Sequence, residues 1–248
     1  MAVQNDKPQN YINHVVFIFD ESSSMGGREK DIVKAADAQT AYLAQRSKDL
    51  NQETRISVYV FSSQVRPGSA EEKRQCRFHD MDALRLPSME GQYRPNGMTA
   101  LNDATLLALD DLALISEKYG DHAFLVYVYT DGMENNSRNS PYVLSQRIAR
   151  LPDNWTVAAL VPDQTCKFNA KGAGFPAGNI AIWDATSAQG VKEGGETVQR
   201  ATEAFMQGRA KGIRGTTKLF DISSAVVNAD AILAAGLTPV DYSEYELI

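Results

Sequence analysis

Cysteine is scarce in this chain of 248 residues: only Cys76 and Cys166. One bridge would add little to a domain of this size, so both are read as thiols of a reducing compartment. Histidine is limited to His14, His79 and His122, which leaves little for a zinc or copper centre. No apolar run approaches the ~20 residues that span a bilayer. Residues 1–10 are polar and lack the apolar stretch of a secretory signal. The expectation is a cytoplasmic protein without membrane contact. Positive charge is also short, with 25 Lys and Arg against 31 Asp and Glu and a net charge of −6. A general nucleic-acid binder is therefore not expected. The one basic run, Arg209, Lys211, Arg214 and Lys218, is read as a solvated face rather than a polyanion site. Also missing are G-x-G-x-x-G, the P-loop and G-x-S-x-G.

What is present is an alternation. Residues 14–19, 55–61, 122–129, 155–161 and 179–183 are near-continuous apolar runs rich in β-branched and aromatic residues. Strands covered on both faces need that pattern. Helical stretches are expected at 29–50, 100–118, 140–151 and 194–211, with Ser140 and Pro141 marking the start of the third. Residues 163–178 read as a short helix and turn. The fold class is α/β: a Rossmann-like, doubly wound and mainly parallel sheet with helices on both faces. Residues 1–11 form an N-terminal arm, 12–211 one domain, and 212–248 a C-terminal extension in which 217–222 is a further strand. Residues 62–98 break the rhythm and are expected to be an irregular excursion with one short edge strand.

In an open α/β sheet, ligands bind outside the carboxyl ends of the strands. Past the first strand stand Asp20, Ser22 and Ser24, spaced D-x-S-x-S. Past the run at 122–129 stands "TDG" with Asp131. Just before the helix at 100–118 stands Thr99, in "G-M-T-A-L". Together they offer two carboxylates and three hydroxyls, a hard-oxygen set suited to Mg²⁺ or Mn²⁺. Neutral hydroxyls leave a divalent cation poorly compensated, so a further anionic oxygen from outside is attracted. The same residues read singly have plainer uses: Asp20 and the serines as a helix cap, Asp131 and Gly132 as a turn.

In order and spacing, these segments resemble the metal-ion-dependent adhesion site of von Willebrand factor type A domains. The resemblance covers roughly residues 12–211 and, with no secretory signal in the sequence, implies an intracellular bacterial or phage-type member. It implies that Ser22 and Ser24 bind a metal directly, and Thr99 does so in the partner-bound state. Asp20 and Asp131 would act through water and hydrogen bonds. It also implies a protein partner presenting an Asp or Glu carboxylate, and no catalysis. The excursion at 62–98 and the part after 212 lie outside the family pattern.

Met25, Met98 and Met133 flank the motifs, with Glu134 beside the last, and are expected to form a soft rim for the partner. Acidic residues Glu244 and Glu246 near the C-terminus could supply a carboxylate to the chain's own site or to that of a neighbouring copy. Two other functions compete. A phosphohydrolase using the same Mg²⁺ would need a nucleophile or general base beside the ion, and none stands there beyond Asp20 and Asp131; the haloacid-dehalogenase pattern would put a second Asp where Ser22 stands. A structural component of a larger assembly would need none of these oxygens.

Overall fold

Every residue of β1 from Ile12 to Asp20 is buried, because β1 (Tyr11–Asp20) lies in mid-sheet with parallel neighbours on both sides. The computed structural model describes residues 10–63, 68–70 and 75–221. It contains β1, α1 (Glu29–Asp49), β2 (Glu53–Phe61), β3 (Cys76–Asp82), α2 (Leu101–Leu112), β4 (Asp121–Tyr129), α3 (Pro141–Ala149), β5 (Trp155–Val161), α4 (Gln164–Gly172), β6 (Ile180–Ile182) and α5 (Ala188–Arg209). The sheet order is β3-β2-β1-β4-β5-β6. All neighbours are parallel except β3, which pairs antiparallel with β2.

Side chains alternate across a strand, and β1 divides the interior accordingly. Val15, Phe17 and Phe19 face α1 and α5, meeting Ile32, Ala36, Leu43, Val198 and Phe205. Val16 and Ile18 face α2, α3 and α4, meeting Ala104, Ala108, Leu109, Leu144 and Cys166. Each face thus has its own core, the doubly wound arrangement the apolar runs imply. In α1 the buried residues Ile32, Ala36, Gln39, Leu43 and Ser47 recur every three or four positions, one face of a helix.

Four expectations need correction. Residues 219–221 enter a helical turn rather than a strand. The Asn179 side chain accepts from the Leu219 amide at 2.8 Å and holds that turn against the strand edge. α2 ends at Leu112, not at 118, and Leu114 is 84% exposed. α5 starts at Ala188, before the expected 194. The basic run is no solvated face at its first member. Arg209 is fully buried, 3.4 Å from Asp121, while Arg214 pairs with Asp121 at 2.9 Å. The excursion does contain the edge strand, β3. Among the described residues, no helix is long and apolar enough to cross a membrane. Residues 222–248, with Glu244 and Glu246, lie outside the described residues.

Candidate metal centre

The strand order reverses direction between β1 and β4, which are neighbours though far apart in sequence. That switch point opens a crevice at the strands' carboxyl ends, and the sequence motifs meet there. Asp20 ends β1, and Thr130 and Asp131 follow β4 directly.

Asp20 is fully buried. Its Oδ1 accepts from the Ser22 amide at 2.8 Å, and its Oδ2 accepts from Thr130 Oγ1 at 2.7 Å. Burial pushes its carboxyl up to about 6, against the downward pull of the Ser22 and Thr130 hydrogen bonds. Burial thus disfavours the ionised form, and a nearby positive charge would favour it.

The serines do not cap a helix. Residues Ser23–Met25 form a single 3₁₀ turn whose preceding residue, Ser22, makes no side-chain capping bond. α1 starts later, after Arg28, again without a side-chain cap. Instead, Ser22 Oγ and Ser24 Oγ lie 3.0 Å apart, and Ser24 Oγ donates to Asp131 Oδ1 at 2.9 Å. Thr130 fixes the turn after β4, its Oγ1 accepting from the Gly132 amide at 3.2 Å, which leaves the Asp131 carboxylate to face Ser24.

Thr99 arrives by backbone pairing. The Ser23 amide donates to Gly97 O at 3.0 Å, and the Asn96 amide to Glu21 O at 2.8 Å. Gly97 has φ of 84°, and a Cβ there would meet Ser63 Oγ at 2.5 Å, so only glycine fits this approach. On the other side, Thr99 O accepts from the Asn135 and Asn136 amides. Three separate loops are thus tied together, and Thr99, 4% exposed, is held between two of them.

The donor set fits a small hard cation. Metal–oxygen distances of 2.0–2.1 Å in an octahedron put neighbouring ligands about 2.9 Å apart. The 3.0 Å separation of Ser22 Oγ and Ser24 Oγ is compatible with that edge, and Asp131, hydrogen-bonded to Ser24 at 2.9 Å, stands one step behind it. Among the described residues, no three His, Cys, Asp or Glu side chains gather to hold a metal, so a cation at this site would need the hydroxyls. The set grades from buried Asp20 and Ser22 to exposed Ser24, leaving its outer side open to solvent.

Two rim residues are corrected. Met25 is 2% exposed and packs in the core with Phe17 and Ile32, because the 3₁₀ turn directs it inward. The Glu134 carboxylate is fully engaged: it accepts from the Asn102, Asn136 and Ser137 amides and from Ser137 Oγ. It caps the first turn of α2. Met98 and Met133 are 47% and 54% exposed.

Five further residues shape the site. Thr130 holds Asp20, as described. The excursion wraps the serine loop: Tyr93 Oη donates to Asp20 O, the Arg94 amide donates to Glu21 Oε1, and Arg77 lies 3.3 Å from Glu21 Oε2. Thr130 sits inside "TDG", so its motif carried a signal. Glu21, Arg77 and Tyr93 carried none, since nothing local in sequence links them. Tyr93→Phe removes the donor to a buried carbonyl and is expected to cost about 1–3 kcal/mol. Urea unfolding in the absence of metal checks it; unchanged stability would mean the excursion does not brace the loop.

No family model and no curated protein sequence matches the chain. Solved structures do. The pilus adhesin SpaC from Lactobacillus rhamnosus GG is 14% identical, with a TM-score of 0.59 over 81% of this chain and 30% of that one. A von Willebrand factor type A protein from Catenulispora acidiphila is 16% identical, with a TM-score of 0.50 over 75% of this chain and 42% of that one. Proximal thread matrix protein 1 from the mussel byssus, described with a zinc-occupied MIDAS motif, is 16% identical, with a TM-score of 0.50 over 77% and 45%. This chain spans less than half the length of each. It has a von Willebrand factor A-like α/β fold.

Proposed function

We propose that this protein is a metal-dependent protein-interaction module without catalysis of its own. Ser22, Ser24 and Thr99 would hold Mg²⁺ or Mn²⁺, with Asp20 and Asp131 orienting the hydroxyls and bound water. The cation would supply positive charge that neutral hydroxyls leave uncompensated, and the acidic side chain of a partner would complete it. The observation that carries this reading is the Ser22–Ser24–Asp131 line, with oxygens 3.0 Å and 2.9 Å apart, set beside a fully buried carboxylate. A related fold described with a metal in its MIDAS motif supports a divalent ion at this position.

The partner would meet a rim of two methionines, Met98 and Met133, whose unbranched side chains adapt to varied apolar surfaces. Replacing both by alanine is expected to weaken partner binding about tenfold while leaving metal affinity unchanged. Parallel titrations of partner and of Mn²⁺ check this; unchanged partner affinity removes the methionines from the interface. The reading as a whole is tested by capture from the native cell in Mg²⁺ and in EDTA. Proteins retained by the wild type in Mg²⁺, but lost with EDTA and with Ser24→Ala, support it. Retention of the same proteins under all three conditions refutes it.

A further inference from the structure

At the end of the sheet opposite the candidate metal centre, β1 and β4 bring two buried histidines together, His14 at 3% and His122 at 6% exposure. Four groups lie in line. Asp80 Oδ1 is 3.0 Å from His14 Nδ1, His14 Nε2 is 2.9 Å from His122 Nδ1, and His122 Nε2 is 2.8 Å from the Tyr119 carbonyl oxygen. A carbonyl oxygen and an ionised carboxylate only accept, so both ends of the line require a hydrogen from the rings. The central contact requires another. Two neutral imidazoles carry one ring hydrogen each, one fewer than the three contacts need.

Asp80 does not make up the difference. Burial alone would raise its carboxyl, but hydrogen bonds from His14 and Arg55 outweigh it and hold the carboxyl below its ordinary value. The Arg55 guanidinium stands 3.1 Å from Asp80 Oδ2.

We propose that the His14–His122 pair is a proton-binding site, and that the bound proton completes a hydrogen-bonded line ending on Asp80 of the edge strand β3.

The surroundings suit one extra positive charge. From β3 comes the Asp80 carboxylate. From β2 comes Arg55, itself 3.6 Å from Glu53. On β4, Asp121 precedes His122 in sequence but is engaged by Arg209 and Arg214. Before β4, Glu117 accepts from Asn154, which also donates to the His122 carbonyl. The Phe124 ring stacks on His14 at 4.5 Å, shielding the pair from water.

Asp80 is where β3 meets the pair. It has φ of 48°, an uncommon conformation for a residue with a side chain, beside a shift in the β2–β3 register. It is held there by its amide on Ser57 Oγ, by Arg55 on its carbonyl, and by His14. When base removes the third hydrogen, two remain for three contacts, and one pair of lone-pair atoms is left facing within the line. The same strand carries Arg77, which holds Glu21 in the serine loop.

Nitrogen-15 spectra of the histidine rings distinguish nitrogens with a hydrogen from bare ones. At neutral pH three of the four ring nitrogens of the pair are expected to carry a hydrogen. Raising the pH should reduce that to two and shift the β3 amide resonances in step. In Asp80→Asn the amide can donate to His14 Nδ1, so two hydrogens satisfy the line and two are expected at the same pH. Two ring hydrogens in the wild type, or three in the variant, would overturn the proposal, as would β3 resonances that ignore the titration.

Discussion

Asp20→Asn is expected to make the metal-free protein more stable above pH 6 and to abolish binding of Mg²⁺ or Mn²⁺. The folded protein holds the Asp20 proton up to about pH 6, whereas the ordinary value is 3.8. Between those values the unfolded chain has released a proton that the folded one keeps, so stability falls as pH rises and stays low above the folded value. The full shift corresponds to about 3 kcal/mol. Local relaxation offsets part of it, leaving an expected gain of about 1–2 kcal/mol. The asparagine can be fully bonded. Its oxygen would accept from the Ser22 amide, and its amide would donate to Thr130 Oγ1, which can turn to Gly132 O at 3.1 Å. Unfolding curves in EDTA above and below pH 6 check this. A variant less stable than the wild type at high pH would mean the Asp20 charge is well solvated and not waiting for a cation. A gain in stability from removing a site carboxylate marks a place where binding and stability pull apart.

Ser24→Ala is expected to have the opposite profile. Ser24 is exposed, and a surface change of this kind stays within about 0.5 kcal/mol of the wild type. Its hydroxyl nevertheless bridges Ser22 and Asp131. Removing groups one step away from a metal costs about 10–100-fold in affinity, so losing a direct oxygen should cost at least about a hundredfold. Calorimetric titration of Mg²⁺ against wild type and variant reads it. A loss below threefold would move the ion away from this hydroxyl.

The parts of the fold that local chemistry specifies were legible in the sequence. β1, β2, β4 and β5 are continuous apolar runs because both faces are covered, and they fall where those runs do. The site motifs were legible for a related reason: Asp20 and Asp131 each follow directly on a strand that is easy to read. The start of α5 was hidden by Gly190, Gly194 and Gly195, poor helix formers. The structure gives two of them a purpose. A Cβ at Gly190 would meet Asp184 O at 2.1 Å, and one at Gly194 would meet the Trp183 ring at 2.9 Å. Tertiary packing overrode propensity there.

The excursion was opaque because its order comes from distant polar partners. Asp37 of α1 accepts from Ser88 Oγ and from the Met89 amide, and Glu21 accepts from the Arg94 amide. No periodicity records such contacts. The histidines show the same limit. His14 and His122 were each legible as strand openers, but their meeting depends on β1 and β4 being neighbours, which only the topology supplies. Met25 failed for a local reason: adjacency to a site residue does not settle which way a 3₁₀ turn points the next side chain.

Electron paramagnetic resonance with Mn²⁺ addresses the central claim most directly, because free and protein-bound ions are separated without any partner. The wild type is expected to bind a single Mn²⁺, displaced by Mg²⁺, and Ser22→Ala/Ser24→Ala to bind none under the same conditions. Undiminished Mn²⁺ binding by the double variant, or none by the wild type, would contradict a cation held by the oxygens that gather past β1 and β4.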